Sequence, residues 1–424
     1  MLSVSALARL GPLTRTAARS PPSLARQIAV RTASTAAALI GGGAGYAANA
    51  REDPSTGKLL PPAVLNAPVL DSDDDDLKKP MGLGVDAYGD LDGMRCCKLL
   101  NGMWQVSGAH GYNPERGAVV SDMSKCASEG YTTFDLADIY GPAEEYVGAF
   151  RSPSKASKVA NPALAADCRF FTKWVPRPQE VTREIATAAI DRSLRRMETD
   201  RLDLVQFHWW DYSNPYYFNA VDALMDLQQK EKIRSLGLCN FDTEHMVKLM
   251  DQDAPIVSNQ VAFSLIDDRP LRQMVPECTK RGVKLLVYGT LLGGFLSSKW
   301  LGQPEPRPDL LTNVSLRKYL PWISYWGGWG LFQELLVVLN TVANKHKVSL
   351  SNVALRWVID QPAVAGAIVG VRFGLQEHLR DNKQVFSLRL DADDLAAIEA
   401  VRGKSKSLFG VFGDCGGEYH SRRS

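Results

Sequence analysis

From about Leu99 the chain alternates short apolar runs with longer helical patterns, and no other feature limits its fold so strongly. The runs fall at 100–105, 132–136, 170–174, 204–209, 234–239, 257–262, 284–288 and 366–371. Leu285, Leu286 and Val287 are continuously apolar, as expected of a parallel strand buried on both faces. Between the runs lie helical patterns. One starts near a cap at Ser349 or Ser351, carries Val353, Ala354, Trp357 and Val358 on one face, and is stopped by Pro362. Eight such units predict an α/β fold, a (β/α)8 TIM barrel forming one catalytic domain over residues 91–424. A doubly wound sheet would need a glycine-rich phosphate turn after its first strand, and the chain has neither GxGxxG nor GxxxxGK[ST]. The longest stretch without a clear pattern, 297–330, holds Trp300, Trp322, Tyr325, Trp326 and Trp329. It reads as a long functional loop folded over something.

Charge separates the barrel from what precedes it. The 424 residues have a formal net charge of +2, and no Lys/Arg stripe interleaves with aromatics, so a general nucleic-acid binder is excluded. Residues 1–51 hold no Asp or Glu but six Arg, the composition of an organelle transit peptide. Residues 52–90, with Pro61, Pro62, Pro68 and the acidic run 73–76, read as a solvated linker. The run 32–50 is about the length of a membrane span but is mostly Ala and Gly, so stable membrane insertion is not expected. Seven cysteines form no CxxC pair, as in a reduced, non-secreted protein. Six histidines make no HExxH or zinc-spaced cluster, so no metal is expected.

A barrel's chemistry sits at the C-terminal ends of its strands. There Asp135, Lys173 and His208 close three successive runs, and Tyr140 follows Asp135 in the same loop. Each is a polar group set among apolar neighbours, which is costly unless it is paired or used. A tyrosine hydroxyl normally titrates near about pH 10. A neighbouring ammonium stabilises the phenolate, a carboxylate holds that ammonium, and a histidine can donate to a carbonyl and orient it. The four together can protonate a carbonyl oxygen.

The segment Gly130-Tyr131-Thr132-Thr133-Phe134-Asp135-Leu136-Ala137-Asp138-Ile139-Tyr140-Gly141 resembles the active-site signature of the aldo-keto reductases, and Lys173 and His208 fall where that family's Lys and His follow. The resemblance runs from about Leu99 to the C-terminus and is closest to the plastid-type plant branch, through Leu100-Asn101-Gly102-Met103-Trp104-Gln105 and Gln206-Phe207-His208-Trp209-Trp210-Asp211. It implies an NADP(H)-dependent reduction of an aldehyde or ketone. Tyr140 would be the proton donor, Lys173 and Asp135 would tune it, and His208 would position the carbonyl. By the same resemblance Asn240 and Gln260 contact the nicotinamide amide, Tyr288 stacks on its ring, and Gly289 and Leu291 follow in the same loop. Arg372 is the leading ligand for the 2′-phosphate, with His378, Asp381 and Asn382 around the adenosine. The chain departs from the family at Cys239, usually Ser, at Phe373, often Ser, and at His378, often Arg. Arg372 and the resemblance nonetheless place NADP(H) ahead of NAD(H).

On the residues alone, Asn240 and Gln260 could instead cap strand ends, and Arg372 with Arg380 could be a solvated helix face. Trp104, Trp174 and Trp209 are candidate walls of the substrate pocket, with Trp210 a packing residue. The tail 413–419 either borders that pocket or frays. Two further functions fit the same residues: a nucleotide-binding barrel with little turnover, resembling potassium-channel β subunits, and a sugar or polyol dehydrogenase. The expected partner is a small-molecule carbonyl compound. The presequence composition favours a mitochondrion, and the family branch a plastid.

Overall fold

In the computed structural model, described for residues 82–420 apart from 109–110, 112, 153–161, 178, 312 and 375–377, the eight apolar runs pair in parallel. The strands are β1 (Tyr88–Leu91), β2 (Met94–Cys97), β3 (Leu99–Gly102), β4 (Thr133–Asp135), β5 (Arg169–Trp174), β6 (Leu202–His208), β7 (Ile233–Cys239), β8 (Ile256–Ala262), β9 (Lys284–Tyr288) and β10 (Val364–Gly370). β3 to β10 close into a barrel in chain order, with β10 against β3. The expected transit peptide and most of the expected linker lie outside the described residues. No helix among the described residues is long and apolar enough to cross a membrane.

Two features differ from the sequence reading. β1 and β2 form an antiparallel hairpin that begins inside the expected linker. Its Asp92-Gly93 turn has φ of 52° and 70°, the left-handed geometry that suits a two-residue hairpin. The hairpin seals the barrel's lower end, where Leu91, Met94 and Cys96 pack against the inward residues Leu100, Phe171, Leu204, Leu286 and Ile368. These side chains give the lumen an apolar floor below the rim that carries Asp135, Lys173 and His208.

The second difference is the stretch 297–330. Short 3-10 turns lead into a helix, Val314–Trp326, capped by the Asn313 side chain, which accepts from the Ser315 amide at 2.8 Å. Pro321 inside it and Gly327-Gly328 after it obscure the helical pattern in the sequence. Tyr319, Trp322 and Trp326 are buried in the main core. The helix Leu350–Ile359 uses Ser349 as its cap, whereas the Ser351 hydroxyl donates to the Leu296 carbonyl.

Candidate active site

Side chains alternate across a strand, so parity selects what faces the lumen. Counting up β5 and β6, Phe171 and Lys173, then Leu204, Gln206 and His208, face inward, apolar below and polar above. Lys173 Nζ donates to Asp135 Oδ1 and Oδ2 at 2.8 and 2.7 Å and to the Leu136 carbonyl at 3.0 Å. Asp135 Oδ1 also accepts from Gln206 Nε2 at 3.0 Å and Gln260 Nε2 at 2.7 Å. Burial opposes the Lys173 charge, but Asp135 outweighs it and holds the ammonium well above its ordinary value.

Tyr140 is delivered by a tight turn in which its amide donates to the Ala137 carbonyl at 3.0 Å. Gly141 follows at φ 53°, where a Cβ would stand 2.7 Å from the Ser107 carbonyl oxygen, so only glycine lets the loop pass. The tyrosine ring meets Trp104 edge-on at 5.0 Å and lies 5.1 Å from Lys173 Nζ. Lys173 does pull this phenol down, as its position in the sequence suggests, but it does not win. Burial is the larger effect and Asp135 adds to it, so the net shift is upward and Tyr140 stays protonated at neutral pH.

His208 also differs from expectation. Its Nδ1 lies 2.9 Å from the Cys239 carbonyl, which can only accept, so Nδ1 carries the hydrogen. Burial pushes the imidazole down to about 4, with the Cys239 bond partly opposing. The neutral ring therefore presents a bare Nε2, which is buried and has no protein partner. In this form His208 accepts a hydrogen bond rather than donating one. Because its folded value lies below the unfolded 6.5, the unfolded chain takes up the proton first, and stability is lost as pH falls from about 6.5 to about 4. The full effect is on the order of 3 kcal/mol. His208→Gln should flatten the unfolding free energy over that window in urea titrations, and an unchanged slope would refute the assignment.

One cavity of about 580 Å³ gathers Asp135, Tyr140, Lys173 and His208 with Asn240, Gln260, Tyr288, Gly289 and Leu291, and with Arg372, His378 and Asn382. Asn240 sits at φ 58°, a conformation Asn tolerates, and its Oδ1 is 2.8 Å from the Tyr288 hydroxyl. Gln260 uses its amide nitrogen on Asp135 and Gln206, at 2.7 Å each. Asn240 Nδ2, 3.5 Å from both Cys239 Sγ and His208 Nδ1, has a second hydrogen to offer, and with the Gln260 carbonyl oxygen it gives the cavity a donor and an acceptor, the complement of a primary carboxamide. Cys239 is a buried thiol, pushed up to about 12 by desolvation.

Three expected residues do not join this cavity. The Asp381 carboxylate accepts from Ser349 Oγ at 2.9 Å and Asn352 Nδ2 at 3.1 Å, tying the last loop to a neighbouring helix cap instead of facing a ligand. Trp174 and Trp209 each follow an inward residue, so parity turns them outward, where both pack at a tilt against Phe207 in the core, at 5.5 and 5.9 Å. Trp210 lines the cavity in their place, edge-on to His208 at 4.3 Å. Among the described residues one grouping, His346, Asp391 and Asp394, has metal-like spacing, but both its carboxylates already bind the Lys345 ammonium.

The C-terminal tail is docked. Arg269, fully buried, binds both Asp267 oxygens at 2.7 and 2.9 Å, Glu418 Oε2 at 2.9 Å and the Asp414 carbonyl at 3.2 Å. Glu418 Oε1 lies 3.1 Å from the Tyr288 hydroxyl, and Tyr419 lines the cavity with its ring 5.8 Å from that of His208. Gly416, at φ 77°, passes so close to Asn240 that a Cβ would fall 1.9 Å from its carbonyl oxygen. The tail therefore borders the cavity rather than fraying, and its anchors Arg269 and Lys318 escape sequence reasoning because their contacts with it are long-range.

Residues 98–402 match the aldo/keto reductase family. The chain is 27% identical over 345 residues to the chloroplastic pyridoxal reductase of Arabidopsis thaliana, covering 78% of this chain and 85% of that one. It is 33% identical over 180 residues to flagellar radial spoke protein 5 of Chlamydomonas reinhardtii, covering 38% of this chain but only 33% of that protein. An aldo-keto reductase from Klebsiella pneumoniae, solved in complex with NADPH, superposes with a TM-score of 0.54 at 22% identity, covering 73% of this chain and 92% of that one.

Proposed function

This chain belongs to the aldo/keto reductase family, and we propose that it reduces an aldehyde or ketone to an alcohol with NADP(H), using Tyr140 as proton donor. The observation that carries this reading is the convergence on one cavity of a protonated tyrosine, a lysine held charged by a buried carboxylate, and a neutral histidine whose Nε2 has no protein partner.

The residues at hand fit the cofactor. The donor of Asn240 and the acceptor of Gln260 complement the nicotinamide carboxamide, Tyr288 offers a ring beside them, and Arg372 and Asn382 line the same cavity. Arg372 has the planar fork suited to a phosphate dianion, which favours NADPH over NADH. When bound, the cofactor supplies the hydride. Tyr140 O–H gives its proton to the carbonyl oxygen, and the Lys173 ammonium stabilises the phenolate left behind. Asp135 keeps that ammonium charged and fixed. His208 Nε2 accepts from the alcohol hydroxyl, holding the product oxygen against Tyr140.

An organelle address belongs to the same reading, and the chloroplastic relative supports a plastid over the mitochondrion that composition favours. The test of the activity is steady-state consumption of NADPH and of NADH by the purified chain with a panel of aldehydes. We expect many turnovers with NADPH and weaker use of NADH. Tight NADPH binding without sustained consumption would overturn the enzyme reading in favour of a nucleotide-binding barrel.

A further inference from the structure

We propose that Lys318 forms an anion subsite in the active cavity, so that the carbonyl substrate carries a carboxylate or phosphate group; this rests on the reductase reading above. Lys318 comes from the inserted helix Val314–Trp326 and not from a strand end, yet it lines the same cavity as Lys173 and His208. Its Nζ lies 5.1 to 5.5 Å from the ring centroids of Tyr288, Tyr319, Trp322 and Tyr419. It donates one hydrogen bond, to the Tyr419 hydroxyl oxygen at 2.8 Å. An ammonium has three N–H groups, so the protein leaves two of them unfilled.

The charge is retained despite its surroundings. Burial works against it, but Tyr319, Tyr419 and Glu418 outweigh burial and hold Lys318 well above its ordinary value. Glu418 is not its ion-pair partner: one oxygen is bound by Arg269 and the other lies against the Tyr288 hydroxyl. Asp267, Arg269, Glu418 and Lys318 together sum to zero, which makes the ammonium tolerable in the cavity without filling its donors. A neutral substrate would cover those donors and leave them unpaired, at a cost. An anionic substrate replaces their water with charge-assisted hydrogen bonds.

Position favours the substrate over a phosphate of the cofactor as the source of the anion. The Tyr419 that Lys318 binds has its ring 5.8 Å from His208 and 6.1 Å from Trp210, so the ammonium stands one side chain from the catalytic histidine. Arg372, the residue suited to a phosphate, lies instead after β10.

The test compares 4-carboxybenzaldehyde with neutral 4-nitrobenzaldehyde on the full chain, its Lys318→Met variant and its Lys318→Arg variant, with NADPH affinity read by fluorescence. In Lys318→Met the kcat/KM ratio of the anionic to the neutral aldehyde should fall about tenfold or more through KM, and arginine should restore part of it. Equal losses on both aldehydes, or weakened NADPH with the ratio intact, would overturn the proposal, the latter assigning Lys318 to the cofactor. If the wild-type chain reduces neither aldehyde, the reductase reading fails, and binding of non-reducible 4-nitrobenzoate followed by tryptophan quenching still decides the subsite. Affinity lost in Lys318→Met supports it; affinity that is absent in the wild type or unchanged in the variant overturns it.

Discussion

Tyr140→Phe should lose about three orders of magnitude in kcat for aldehyde reduction while binding NADPH as tightly as the wild type, the loss a positioned general acid supplies. The phenylalanine ring keeps the edge-on contact with Trp104 at 5.0 Å and the place over Lys173 Nζ, so the cavity retains its shape. The only atom removed is the one that carries the proton. Because burial holds the phenol up and leaves it protonated at neutral pH, the donor is fully loaded before reaction, and the cost of making phenolate falls on the reaction step. That cost is what Lys173 offsets. A Tyr140→Phe variant that turns over aldehyde within tenfold of wild type in a stopped-flow assay would remove Tyr140 from the chemistry.

The proposed catalytic quartet is legible in the sequence because three of its members end apolar runs whose order is the order of the barrel. Asp135, Lys173 and His208 sit at the tops of β4, β5 and β6, adjacent strands. The same local reading errs by one residue at the pocket wall. Trp174 and Trp209 look as close to the site as Lys173 and His208, yet the period of two sends them to the opposite face, and a count of two from His208 reaches Trp210 instead. The floor hairpin hides because its strands have four residues each; its signal is the Asp92-Gly93 pair. What no local pattern reveals is the second charged layer: Lys318 meets Tyr419 across 101 positions, and Arg269 meets Glu418 across 149. Their side chains become partners only when the inserted helix and the tail fold over the rim.

Arg269→Met is expected to be among the most destabilising single changes in the barrel. The guanidinium is fully buried and spans Asp267 and Glu418, so its loss leaves two buried carboxylates against one remaining ammonium, Lys318. Breaking one partner out of a buried pair costs about 3–5 kcal/mol. The melting temperature should drop by roughly 10 °C in calorimetry. Activity should suffer separately, because Arg269 also holds the Asp414 carbonyl and, through Glu418, the segment that sets Tyr419 beside His208 and buttresses Tyr288 against Asn240. KM for the aldehyde should therefore rise at temperatures where the variant is still folded. Adding Asp267→Asn and Glu418→Gln to Arg269→Met removes the uncompensated carboxylates and should recover part of the lost stability. It should not restore KM, since the tail would remain without its anchor. A triple variant no more stable than the single one would show that packing of the Arg269 side chain against Trp322 and Phe412, and not its charge, secures the tail.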